Sequence, residues 1–243
     1  MTNAEVLKMI DDQIAALQAA REGIVGNPPV TLDDLQDTDL SMVLIRPPDG
    51  GAYLPLDKEC PNPVPMANTY WIGKYSVTNR LWRAVMGGTG TTPPGKDTHP
   101  VVNVSWNDAQ TFCQKLSAIR GLDGSSRALA PFRLPTEWEW EWAAAGGVRV
   151  DGQVTPSTGW YDENSGGGTH PVGEKEPNNL GLYDTLGNVW EWTATEWVDT
   201  DDHDRIFRGG SWYIVPRYAR VAYRYWNVPG YRFDSLGFRL ARG

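Results

Sequence analysis

The 243-residue chain is 40% hydrophobic and carries 26 Gly, 18 Pro, 12 Trp and 10 Tyr. This fits one large loop-rich domain built around aromatic anchors, with room for an N-terminal appendage, and excludes a simple helix bundle. A formal charge of −8 and a pI near 4.9 argue against nucleic-acid binding, which needs a surplus of Lys and Arg.

No apolar run approaches the roughly 18 residues of a membrane span. The N-terminus lacks the basic-then-apolar pattern of a secretory signal. The expectation is a protein without a membrane span and cytoplasmic by default, with export by another route left open. Cys60 and Cys113 form no CxxC or zinc pattern and read as two ordinary thiols, with one disulfide left open. His99, His170 and His203 are scattered and supply no HExxH or HxH pattern.

Residues 2–24 read as a helix. Thr2 and Glu5 match a capping box, and Leu7, Ile10, Ile14, Leu17 and Ile24 recur at helical spacing, interrupted by Arg21. Its apolar stripe either packs on its own domain or pairs with another subunit, which would make the chain an oligomer. Residues 25–40 form a linker, broken by Asn27-Pro28-Pro29 and solvated by Asp33, Asp34, Asp37 and Asp39. The main domain begins near Met42, with strands over 42–45 and 70–75. A helix over 78–86 is capped by Thr78 and ended by Gly87, and a Gly/Thr/Pro loop follows to Pro94. Ser105 opens the next helix with Asp108 at its third position. The inner stripe is Ala109, Phe112, Cys113 and Leu116, and Gly121 is the stop. Thr136 and Glu139 open a short third helix that ends at Gly146-Gly147. Turns dominate thereafter, an α+β pattern without βαβ repetition.

Four segments carry a resemblance. They are NVSWNDAQTFCQKLS (103–117), RLPTEWEWEWAAAGG (133–147), GLYDTLGNVWEW (181–192), and RGGSW (208–212) with LGFRLAR (236–242). Their order and spacing resemble the formylglycine-generating-enzyme and sulfatase-modifying-factor family, from about residue 42 to the end. The resemblance implies an α+β, loop-rich, C-type-lectin-like fold of the formylglycine-generating-enzyme type, here with an N-terminal helix. Residues 1–40 are then helix and linker, and 41–243 the domain. Read on their own chemistry, Gly187, Gly209, Gly210 and Gly237 mark tight chain paths. Trp138, Trp142, Trp190, Trp192 and Trp212 serve as buried anchors. Arg208, Arg224, Arg232 and Arg239 tie loops together.

In the family's oxidase, two cysteines shortly after the GGS segment hold copper. Aligned on Gly209-Gly210-Ser211, those positions are Ile214 and Ala219, which cannot be thiolate ligands. The histidines do not supply the iron site of the family's second enzymatic branch. The chain therefore reads as a non-enzyme, with no copper or iron expected. The family's calcium loop corresponds to GLYDTLGNVWEW. The resemblance implies a structural calcium ion held by the Asp184 and Glu191 side chains and the Gly187 and Val189 carbonyls, a set of hard oxygens. Alternatively, the two carboxylates accept backbone N–H bonds with no ion. The loop over 164–170 is shorter than the family's second calcium loop.

The stretch YIVPRYARVAYRYWNVPGYRFDS (213–235) is similar to the variable region of proteins diversified by diversity-generating retroelements. In those systems adenine-directed mutagenesis of AAC or AAT codons yields a restricted residue set that excludes Lys, Glu, Gln, Met and Trp. Residues 213–235 contain none of these except Trp226, which reads as fixed scaffold. Pro216, Arg220, Ala222, Arg224, Pro229 and Arg232 fall at framework positions. Tyr213, Ile214, Val215, Arg217, Tyr218, Tyr223, Tyr225, Asn227, Tyr231, Phe233, Asp234 and Ser235 fall at variable, ligand-binding positions. Val228 and Gly230 are ambiguous. Tyr-rich surfaces suit binding because the ring is a rigid amphipathic contact.

The sequence thus points to a non-catalytic protein that presents a diversified C-terminal surface to a protein or other macromolecular ligand. Two other readings stand beside it: an oxidase or oxygenase with an unrecognised site, and an accessory interaction module without diversification.

Overall fold

The structure, a computed structural model, describes residues 40–58, 60, 62–87, 95–119, 130–198 and 203–243. The helix expected over 2–24, almost all of the linker, the loop from 88 to 94 and the Gly121 stop lie outside these residues.

Among the described residues, two four-stranded sheets and a small ribbon carry the fold. Strand β1 (Met42–Ile45) opens the domain, and β2 (Ala52–Tyr53) pairs with β3 (Val64–Pro65) as the ribbon. The first sheet adds β4 (Tyr70–Gly73), β5 (Phe132–Arg133) and β10 (Ala241–Arg242) in the order β1-β4-β10-β5, all antiparallel. The last strand of the chain thus lies in the middle of the sheet that the first strand opens. The second sheet is β6 (Trp190–Glu196), β7 (Arg205–Arg208), β8 (Arg224–Asn227) and β9 (Leu236–Phe238), ordered β8-β7-β6-β9. Only its β6–β9 pair is parallel.

The three helices start where their caps predict. In α1 (Asn79–Met86) the Thr78 hydroxyl accepts the Leu81 N–H at 3.1 Å, and Gly87 ends the helix in the left-handed region. In α2 (Trp106–Ala118) Ser105 and Asp108 form a reciprocal capping box. Thr136 and Glu139 do the same for α3 (Glu137–Ala144). The α2 stripe of Ala109, Phe112, Cys113 and Leu116 is buried. There Trp82 of α1 stacks on Phe112, and Phe238 of β9 packs edge-on against both. Cys60 and Cys113 are both free thiols.

Helix α3 corrects one expectation. Trp138 and Trp142 are only partly buried, whereas Trp140 is almost fully enclosed together with Glu137 and Glu141. The reason is helical periodicity. Residues 137, 140, 141 and 144 share one face, so the alternation EWEWEW turns two carboxylates and one indole inward.

Those carboxylates meet arginines from the second sheet. Glu141 accepts bonds from the Tyr53 hydroxyl, the Leu56 N–H and the Arg208 guanidinium. Glu137 holds Arg224 through two bonds at 2.6 and 2.9 Å. On β6, Glu191 is held by Arg239, which also donates to the Gly73 and Tyr183 carbonyls. All four arginines expected to tie loops do so, the fourth being Arg232 on Asp108. Gly187 takes φ +82°, and a Cβ there would lie 2.2 Å from the Trp160 carbonyl oxygen, so only glycine fits.

Burial separates these ties energetically. Arg208→Ala strands the fully buried Glu141, a loss of about 3–5 kcal/mol. Arg232→Ala removes a pair whose arginine is 56% exposed, a loss of about 1 kcal/mol or less. Urea denaturation of the two variants checks this, and equal losses would refute the ranking.

Candidate functional site

The second sheet lays the floor of a cavity. Trp190 of β6 and Leu236 of β9 stand opposite one another in register, and Phe207 of β7 packs edge-on against Trp190. The segment from Tyr213 to Phe233 wraps over this floor. A single 3-10 turn, Pro216–Tyr218, brings in Tyr218, and β8 runs antiparallel to β7. The result is a concavity of about 430 Å³, within the usual size range of ligand pockets.

Strand geometry sorts the residues of β8 and its approach. Successive side chains of a strand point to opposite faces. Tyr223, Tyr225 and Asn227 line the cavity. The residues between them face away: Arg224 reaches Glu137, and Trp226 stacks on Trp197 with ring centroids 4.0 Å apart. The other framework arginines are also anchored. Arg220 pairs with Asp151, which also accepts the Ala222 N–H, and Arg232 grips Asp108 at the start of α2.

Of the twelve expected ligand-binding residues, eight line the cavity: Tyr213, Ile214, Tyr218, Tyr223, Tyr225, Asn227, Tyr231 and Phe233. Tyr213, Tyr225 and Phe233 are 40–48% exposed. Val215, Arg217 and Asp234 are exposed but do not line it. Ser235 is a correction: it is fully buried, and its carbonyl accepts the Trp190 N–H. It sits where the chain enters β9, so its side chain turns into the protein and cannot meet a ligand. Phe207 and Leu236 were not singled out in the sequence. Their one signal was position: Phe207 directly precedes RGGSW, and Leu236 opens LGFRLAR.

The two positions that correspond to the oxidase cysteines part company. Ile214 is in the cavity wall. Ala219 is fully buried, packed so closely under Gly210 that a Cβ on that glycine would lie 2.7 Å from the Ala219 Cβ. Neither Cys60 nor Cys113 lines the cavity. Burial pushes the Tyr223 and Tyr231 phenols above their ordinary range, and neighbouring tyrosines add to it. They therefore remain protonated, hydrogen-bond-donating groups at neutral pH.

The calcium ligand set has one open side and one closed. Asp184 is buried with Oδ2 accepting the Gly173 N–H and Oδ1 without a partner. Burial pushes its carboxyl up to about 6. Glu191, however, already accepts four bonds, from Ser76, Trp140 and twice from Arg239. A cation there would face the guanidinium, so the set of Asp184, Gly187, Val189 and Glu191 does not fit calcium as arranged. Among the described residues no group of three or more His, Cys, Asp or Glu side chains is placed to hold a metal.

Residues 36–243 match the sulfatase-modifying factor enzyme 1-like domain. The chain belongs to the sulfatase-modifying-factor family. Its fold is the C-type-lectin-like fold of the formylglycine-generating-enzyme type. A Bos taurus relative, inactive C-alpha-formylglycine-generating enzyme 2, is 38% identical over 190 residues, covering 69% of this chain and 58% of the relative. The formylglycine-generating enzyme of Mus musculus is 32% identical over 201 residues, covering 66% and 50%. The chain thus spans about half to three-fifths of the length of these relatives. Among solved structures, Treponema denticola variable protein 1 superposes with a TM-score of 0.67 at 33% identity, covering 83% of this chain and 94% of that one. This member of the family therefore resembles an inactive relative, active enzymes and a variable protein alike. No helix among the described residues is long and apolar enough to cross a membrane.

Because Arg239 occupies Glu191, millimolar calcium or EDTA is expected to leave the thermal unfolding midpoint unchanged. A rise of several degrees with calcium would mean that the arginine gives way to the ion.

Proposed function

We propose that the chain is a non-catalytic ligand-binding protein whose C-terminal segment is a diversified surface on a rigid lectin-like scaffold. The observation that carries this reading is the cavity. Eight residues at expected variable positions line it, while the framework arginines between them are tied to Asp151, Glu137 and Asp108. A site meant to change needs a backbone held from behind, and the ion pairs supply that hold. Likeness to a variable protein over most of both chains supports the same reading.

Catalysis by the oxidase route is disfavoured by the residues themselves. Ile214 and Ala219 supply no thiol, Cys113 is packed in the core, and Cys60 lies beside Arg224 rather than in the cavity. The ligand is a macromolecule, because a cavity framed by half-exposed aromatic rings and continuing onto exposed Val215, Arg217 and Asp234 offers a broad contact.

Two measurements test this. Comparison of the gene with neighbouring DNA is expected to reveal a near-copy template whose differences fall at adenines in the codons for the variable positions. Identical codons throughout would sink diversification. Replacing Tyr225 and Phe233 by Ser is expected to cost about 1 kcal/mol each, because both are about half-exposed. Arg224→Ala is expected to cost about 3 kcal/mol, because it removes both hydrogen bonds to the buried Glu137 and leaves it only the Arg208 guanidinium at 3.8 Å.

A further inference from the structure

The cavity's chemistry narrows what it can take. Five of its lining residues are tyrosines, and among the described residues none of their hydroxyls makes a hydrogen bond to the protein. No Asp or Glu lines it. The one amide in the wall, Asn227, spends its oxygen on the Val228 N–H. The wall is therefore rich in hydroxyls free to donate or accept and holds no fixed negative charge that would oppose an anion. A peptide supplies carbonyl and carboxylate acceptors.

Charge at the mouth adds direction. The segment has four arginines, and three are neutralised by carboxylates of the scaffold. The fourth, Arg217, is exposed, lies 4.6 Å over the Tyr218 ring, and makes no salt bridge among the described residues. The segment's one carboxylate, Asp234, lies near Tyr231. A ligand carboxylate is thus drawn towards Tyr218 and repelled from Tyr231, which fixes one polarity.

Resting on the reading of this cavity as a binding site, we propose that it takes an acidic peptide segment of a partner protein. One aromatic side chain seats among the tyrosine rings, and a neighbouring carboxylate pairs with Arg217. Stacking and edge contacts with Tyr213, Tyr225 and Phe233 hold the ring. The guanidinium, already stacked on Tyr218, is oriented for a carboxylate with little further loss of freedom. A volume of about 430 Å³ accommodates one aromatic side chain with the adjoining backbone.

The experiment uses the full chain and three probes: the labelled, end-blocked pentapeptides GEWEG and GKWKG, followed by fluorescence anisotropy, and methyl α-glucoside as a competitor. GEWEG is expected to bind, to weaken with salt, and to exceed GKWKG by about tenfold. Arg217→Ser is expected to weaken GEWEG by roughly fivefold to tenfold without moving the melting temperature. Equal binding of the two peptides, displacement by the glucoside, indifference to Arg217→Ser, or no peptide binding each overturns the acidic-peptide inference. A Tyr225→Ser, Phe233→Ser double variant separates the two levels. If peptide binding depends on these rings but not on charge, only this inference falls. If GEWEG binding survives their loss, the cavity itself is not the site and the proposed function falls with it.

Discussion

Three glutamates buried against three arginines hold this molecule together. Glu141 with Arg208, Glu137 with Arg224, and Glu191 with Arg239 cross-link α3 and β6 to β7, β8 and the link between β9 and β10. The fold has short strands and long irregular connections, so its regular backbone ladders cannot fix the loops alone. Side chains do it instead, through charged bonds to carbonyls and hydroxyls as well as to each other. Such pairs add little net stability over an apolar core, since desolvation offsets most of the attraction. What they impose is geometry. A buried guanidinium without its carboxylate is so unfavourable that alternative packings of these loops are excluded.

The same network separates the residues held against the scaffold from those that line the cavity. Glu137 belongs to the core helix α3, and its partner Arg224 belongs to the segment that forms the cavity. Of the β8 residues, Arg224 and Trp226 face the scaffold and are pinned, whereas Tyr225 and Asn227 face the cavity. Strand periodicity alone separates the two classes. The cavity can therefore change its lining while its backbone stays in place. Ile214 and Ala219 illustrate the contrast with the oxidase relatives. One contributes apolar wall, and the other is a fully buried packing residue directly against Gly210.

Glu191 shows how one carboxylate can serve only one master. Its two oxygens are shared among a serine, an indole and a guanidinium. That arrangement consumes the lone pairs a calcium ion would need. Asp184 keeps an unpartnered oxygen instead, and its burial raises the carboxyl towards neutrality. The loop is thus organised by Arg239, which lies between β9 and β10 and also donates to the Gly73 carbonyl, coupling the loop to the first sheet.

What the sequence determined by itself was local or motif-borne. All three helix starts were legible because a cap bonds within three residues of its own position. The tight glycines, the arginine ties and the family resemblance were legible because their segments are contiguous, and eight cavity residues followed from one continuous stretch. Tertiary structure alone decided the rest. It turned Trp140 inward with two carboxylates, where a hydrophobic pattern counts only the indoles. It joined β6 to β9, whose buried Glu191, Thr193 and Arg208 neighbours break any apolar alternation. It sank Ser235 beneath the surface it had been assigned to, and it gave Glu191 to Arg239. These outcomes share a cause: each depends on a partner more than forty positions away or on the direction of a single side chain, and neither is encoded in local spacing.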